Sequence, residues 1–130
     1  MRQIIASPDA PAAVGPYSQG VRVGRWMFFA GQIPLDSKTG KIVDGGIEEQ
    51  TEQVIRNIRA LLATQELGLQ HVVKSTVFMA DLSQFDGMNR VYGKHFKMEP
   101  PARSTVQVAR LPKDALVEIE VIACAGEFGE

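Results

Sequence analysis

The chain has 130 residues, of which 45% are hydrophobic and 22% charged, and its formal net charge is −1. A single domain of this size buries a core without disulfides or metal. The near-neutral balance excludes a general attraction for nucleic acid or anionic membrane. The one cysteine, Cys124, excludes an intrachain disulfide and suits a reducing cytoplasm. No apolar run approaches the roughly 20 residues that span a bilayer. Met1 to Pro8 lacks the apolar stretch of a leader peptide. No internal repeat or linker divides residues 1–130, which read as one domain.

In chain order, Gln3 to Ala6 can form a short strand, and Pro8 to Pro16, rich in Ala and Pro, reads as an extended surface loop. Ser18–Val23 and Trp26–Ile33 read as strands joined by a Gly24-Arg25 hairpin turn. The second strand is apolar on both faces, which predicts burial against helices on one side and another subunit on the other. The Asp36 to Gly40 turn follows. Ile47, Thr51, Val54, Ile58, Leu61 and Leu62 form one helical stripe, predicting a helix from Ile47 to Leu67 stopped by Gly68 at C′. Val72 to Ala80 alternates as a strand, with Cys124 later reading as a small apolar strand residue. Asp81 and Gln84 resemble a capping box opening a second helix along Leu82, Phe85, Met88, Tyr92 and Phe96. Gly87 and Gly93 weaken that helix and Pro100-Pro101 stops it. Ser104–Ala109 and Leu116–Ala125 complete the strands. The order predicts an α+β domain with two helices on one face of a mixed sheet. The other, open face calls for a symmetric oligomer to cover it.

Two charged groups stand out. Arg103 follows Pro101-Ala102 at the start of a strand, where its fork could grip a carboxylate bidentately. The bland alternative is an ion pair tying strands together, which requires direct contact with a carboxylate such as Glu118. Glu118 and Glu120 share one face of the last strand, while Val117, Ile119, Val121 and Ala123 make the other face core. One glutamate could orient or deprotonate water, or both could form an exposed polar edge. Tyr17, after the rigid Gly15-Pro16 turn, could wall a pocket or pack at a sheet edge. Gly31 inside an apolar strand marks a close backbone approach or a bulge. Asn89 could present an amide to a cleft or face water. His71 and His95 have no companions at ligand spacing, so no metal site is expected. Phosphate loops, nucleophile elbows and Cys–His pairs are not visible, and Trp26 reads as packing.

The segments Ala10–Gln19, Ala30–Pro34, Pro101–Ser104 and Ala109–Asp114, with Ile119-Glu120, closely resemble the reactive-intermediate deaminase family (RidA, or YjgF). The resemblance runs from about Ile4 to Ala125. It implies a chorismate-mutase-like α+β fold assembled as a homotrimer around a central barrel, with three clefts between adjacent subunits. It implies hydrolysis of 2-imino acids such as 2-iminobutanoate and 2-iminopropanoate, or their enamine tautomers, to 2-keto acids and ammonia. Pyridoxal-phosphate enzymes such as threonine and serine dehydratases release these intermediates, and neither cofactor nor metal is implied. By motif, Arg103 would hold the substrate carboxylate and Glu118 would position the attacking water. Tyr17 would line the cleft, and backbone near Gly31 and Thr105 would bind polar atoms, with Asn89 nearby. Many relatives carry Cys where this chain has Thr105. The family's other associations, ribonuclease or translation inhibitor, and a trimer that binds small carboxylates without turnover, are the competing expectations.

Overall fold

The computed structural model describes residues 1–126. Six strands form one sheet: β1 (Gln3–Ile5), β2 (Gly20–Val23), β3 (Trp26–Gln32), β4 (Val72–Met79), β5 (Ala102–Gln107) and β6 (Val117–Cys124). Their spatial order is β1-β2-β3-β6-β4-β5. All neighbours are antiparallel except β4 and β5, which run parallel. The long connections that parallel and non-adjacent strands need are supplied by α1 (Ile47–Ala63) and α2 (Phe85–His95). The expected α+β layer pair is what the chain forms.

The core lies between the sheet and the two helices. Val54, Ile55, Ile58, Leu61 and Leu62 of α1 are buried against Met27 and Phe29 of β3, Val77 and Met79 of β4, and the Val117, Ile119, Val121, Ala123 row of β6. The even spacing of that row is the strand period at work, and it leaves Glu118 and Glu120 on the opposite, open face. Gly87 has a packing role beyond its cost in helix propensity. A Cβ there would stand 2.7 Å from Cγ2 of Ile47, so the glycine lets α2 close on α1.

Several boundaries differ from the sequence expectation. Helix α1 ends at Ala63, not Leu67. Thr64 turns its hydroxyl back to the Leu61 carbonyl, and the left-handed residue is Glu66 (φ 60°). Gly68 is extended and its N–H donates to Nδ1 of His71, so it starts a short 3-10 turn instead of ending the helix. Asp81 does cap a helical turn, but through the Ser83 N–H (2.8 Å); the turn is a 3-10 segment, Leu82–Gln84, that feeds α2. Strand β5 begins at Ala102, two residues early, which puts Arg103 inside the ladder and not at its mouth. The Ala- and Pro-rich loop is on the surface but is pinned: Ala10 is buried, and the buried Gln19 carboxamide bonds Ser7 N–H (2.7 Å) and the carbonyls of Ser7 and Pro11 (3.2 and 2.7 Å).

The open face carries a run of apolar side chains. Ile4, Val23, Trp26, Phe28 and Val106 are 42–59% exposed in the protomer. Trp26 and Phe28 alternate with the buried Met27 and Phe29, which is the two-faced apolar pattern anticipated for this strand.

Candidate functional site

Strand register fixes where the two charged groups point. Arg103 pairs with Ser75, and Ser75 pairs with Val121, so Arg103 faces the helices. Glu118 pairs with Phe78, three residues further along β4, and faces the open side. Two inter-strand spacings across β4 separate them, roughly 9–10 Å, and three residues add about 10 Å along the ladder. Within one protomer they lie on opposite faces and cannot touch. The inter-strand ion pair is thereby removed.

Around Arg103, α2 supplies three side chains at helical spacing. Asn89 Oδ1 accepts from Nη1 at 2.8 Å, and the guanidinium carbon lies 4.7 Å from the Tyr92 ring centroid and 5.5 Å from that of Phe85. Asn89 therefore holds the arginine from an exposed position on the helix. Among the described residues, no carboxylate pairs with Arg103. Thr105 is two residues along β5, on the same face as Arg103, and its Oγ1 is buried with no hydrogen-bond partner. An orphaned buried hydroxyl costs about 1–3 kcal/mol.

Around Glu118 the geometry is set by Gly31. The register of β3 against β6 shifts between Phe29 and Gln32, a bulge that brackets the glycine. A Cβ at Gly31 would overlap Oε2 of Glu118 and stand 2.9 Å from its Cδ. The close approach and the bulge read as alternatives in the sequence are both present, and what approaches is the Glu118 side chain. Burial pushes the Glu118 carboxyl above the ordinary glutamate range, with Glu120 adding to it. Tyr17 belongs to the same end of the sheet, since the Gln19 carbonyl accepts from the Ala30 N–H at 2.9 Å. Its side chain is half exposed, with Oη 3.4 Å from the Val14 N–H. The loop leading into β6 is fixed by a fork from Arg110 Nε and Nη2 to Asp114 (2.7 and 3.1 Å).

The candidate residues thus form two groups, not one. Arg103, Asn89 and Thr105 stand on the helix side of the edge strand β5. Glu118, Gly31 and Tyr17 stand at the far end of the β2-β3-β6 part of the sheet. Three contributors escaped the sequence reading of the site. Phe85 and Tyr92 looked like plain core positions, and Ser75, whose hydroxyl lies 2.6 Å from Tyr92 Oη, looked like a strand residue. The histidines are engaged elsewhere: His95 bridges Glu52 and Arg59, and His71 accepts from Gly68. Among the described residues no group of three or more His, Cys, Asp or Glu could hold a metal ion, and no helix is long and apolar enough to cross a membrane.

The chain is similar to known proteins along most of its length. The model of the endoribonuclease L-PSP family matches residues 7–125. A RutC family protein of Pyrococcus horikoshii is 49% identical over 95% of this chain and 98% of its own. The mouse protein named 2-iminobutanoate/2-iminopropanoate deaminase is 41% identical over 98% of this chain and 95% of its own. A crystal structure of Escherichia coli TdcF with bound serine superposes with a TM-score of 0.90 at 41% identity, over 95% of this chain and 99% of that one.

Proposed function

The chain belongs to the endoribonuclease L-PSP family, the Rid (RidA/YjgF) family, and from that premise we propose that it hydrolyses reactive 2-imino acids to 2-keto acids and ammonia. The substrate class is that of 2-iminobutanoate and 2-iminopropanoate, after which the mouse relative is named. The observation that carries the reading is Arg103: a guanidinium over aromatic rings and tied at Nη1 to Asn89, with no carboxylate partner among the described residues. Such a fork is complementary to a small carboxylate, and the bound serine of the TdcF relative is an amino acid bearing one.

Chemically the reaction needs little. A protonated imine is already electrophilic, so orientation and one aimed water supply most of the acceleration. Arg103 anchors the carboxylate and selects 2-imino acids over neutral imines. The Glu118 carboxylate, its basicity raised by burial, accepts a hydrogen bond from the attacking water and draws off its proton. The protonated Glu118 then returns that proton to the carbinolamine nitrogen, and the carbinolamine collapses to the keto acid with loss of ammonia. The unpartnered Thr105 hydroxyl and the backbone at Gly31 are the nearby groups able to meet substrate polar atoms.

Because one protomer holds Arg103 and Glu118 on opposite faces, the reaction requires two copies. A homotrimer in which the β5 group of one subunit meets the β3-β6 group of the next supplies three equivalent sites. It also covers the exposed apolar side chains of the open face. The net charge of −1 and two histidines already engaged by protein partners support this reading over RNA cleavage. The pyridoxal-phosphate dehydratases of the cytoplasm are the class of enzyme that releases such imines.

The test adds the protein to a threonine dehydratase reaction containing semicarbazide. Faster 2-oxobutanoate release and less trapped imine are expected, and the effect disappears with Arg103→Ala. Unchanged trapping with the wild-type protein refutes the activity.

A further inference from the structure

We propose that Tyr92 is a positioning residue for Arg103. Its ring, fixed by Ser75, sets the guanidinium so that one edge remains open to a carboxylate, and Phe85 and Asn89 complete the cradle. This rests on the reading of Arg103 as carboxylate anchor and assigns that anchor its support.

The argument begins with the helix. Residues 85, 89 and 92 are spaced i, i+4, i+7 and share one face of α2. That face meets Arg103 with a ring, an amide oxygen and a second ring. Each contact constrains a different freedom. A cation over an aromatic face is held in the plane parallel to the ring. The hydrogen bond from Nη1 to Asn89 then fixes rotation within that plane. With Nη1 committed, the parallel pair left for a bidentate grip is Nε with Nη2.

Tyr92 itself has no freedom to drift. It is 5% exposed, and its Oη pairs at 2.6 Å with the hydroxyl of the fully buried Ser75, which sits opposite Arg103 on β4. Phe96 stacks on its ring with centroids 4.4 Å apart. Two groups each within 5 Å of one centroid need its two faces, so Phe96 backs the ring while Arg103 takes the front. Burial pushes the Tyr92 phenol upward, so it stays neutral and leaves the arginine's charge uncompensated for a ligand. A buried tyrosine serving the core alone would need the backing ring and the Ser75 bond, but not a guanidinium on its front face.

The experiment compares Tyr92→Phe, which keeps the ring, with Tyr92→Leu, which removes it, in the full assembled protein. Kinetics follow imine hydrolysis, and calorimetry follows 2-oxobutanoate binding. The Nε–Hε resonance of Arg103 in the ligand-free protein reports ring-current shift and mobility. Tyr92→Leu should raise KM and the 2-oxobutanoate Kd about tenfold, the scale of a partly desolvated cation–π contact, with kcat within about twofold because Glu118 is untouched. Its Arg103 Nε–Hε signal should move toward the random-coil position, and Tyr92→Phe, which keeps the ring but loses the Ser75 bond, should fall between wild type and Tyr92→Leu in all three readouts. Wild-type Kd and an unmoved Nε–Hε signal in folded Tyr92→Leu overturn the proposal, as does a Tyr92→Phe variant as impaired as Tyr92→Leu. If Tyr92→Leu does not fold, the partly buried Phe85→Leu and the exposed Asn89→Ala replace it, each expected to weaken binding about threefold; wild-type binding in both overturns the cradle. The anchor reading has its own check: 2-oxobutanoate binding undiminished in Arg103→Ala defeats that reading, while the ligand-free resonance still reports on the cradle.

Discussion

Mixing two inactive variants should restore activity, and by a calculable amount. Arg103→Ala lacks the carboxylate anchor, and Glu118→Ala lacks the water-positioning group. The register puts these side chains on opposite faces of one sheet, two strands apart. Under the proposed function, a substrate of a few heavy atoms would meet Arg103 from one protomer and Glu118 from a neighbour. In an equimolar mixture assembled at random, a cleft is intact when its arginine donor is the Glu118→Ala chain and its glutamate donor is the Arg103→Ala chain. Each condition holds half the time, so about one quarter of clefts in a head-to-tail ring are complete. Co-refolding the two variants, with imine hydrolysis assayed by semicarbazide trapping, should give about a quarter of wild-type activity while each variant alone stays near the uncatalysed rate. Activity no higher than that of the separate variants, in assemblies proven mixed by differential tags, would mean that one chain supplies both groups and would refute the shared cleft.

Gly31→Ala should cost about 10²-fold in kcat/KM, because the new methyl forces the Glu118 carboxylate to retreat by roughly 1 Å; the backbone there is not left-handed, so thermal stability should hold. In a Glu118→Ala background the same change should have little further effect. The raised Glu118 carboxyl places the acid limb of the activity profile above the ordinary glutamate value of 4.5, and Glu118→Gln should lower activity across the range. The sign for stability is opposite: a carboxyl raised on folding destabilises the native state as pH climbs from 4.5 through its folded pKa. Glu118→Gln should therefore melt higher than wild type at pH 8 and alike at pH 4, read by thermal unfolding. Phe28→Asp, on the open face and 44% exposed in the protomer, should dissociate the assembly and abolish hydrolysis, as analytical ultracentrifugation and the coupled assay would register.

Much of the fold was legible because its elements obey one period each. The alternating Val117 to Ala123 row and the 54-58-61-62 stripe could only be a strand and a helix facing a common core. Where the sequence misled, a side-chain-to-backbone bond had replaced the usual punctuation. Thr64 ended α1 before Gly68 was reached, and Ser83 took the cap that Gln84 was expected to complete. The individual candidates at the site were also visible, since an arginine after Pro-Ala and a glutamate on a half-polar strand are unusual on their own. Their division into two groups was not visible. It depends on which strands are neighbours, and no local pattern discloses the order β6-β4-β5. The aromatic support of Arg103 was hidden for the converse reason: Phe85 and Tyr92 satisfy the core pattern so well that periodicity offers no sign of a second task.

The separation of Arg103 from Glu118 is a matter of parity. Traced through β4, Arg103 sits level with Val121, and Val121 lies three residues from Glu118. An odd offset in a ladder of period two puts the side chains on opposite faces. A one-residue slip of β5 would turn Arg103 to the open side, the face of Glu118, and take Thr105 off the helix side with it. The arginine would then lose Asn89 and both rings. Slippage is opposed by the same contacts that support the proposed chemistry, because Arg103 against Tyr92 and Asn89 can form only in the observed register. The anchor thus helps to specify the pairing of its own strand. That pairing in turn prevents the protomer from neutralising its arginine with its own glutamate, and leaves both groups available to a ligand.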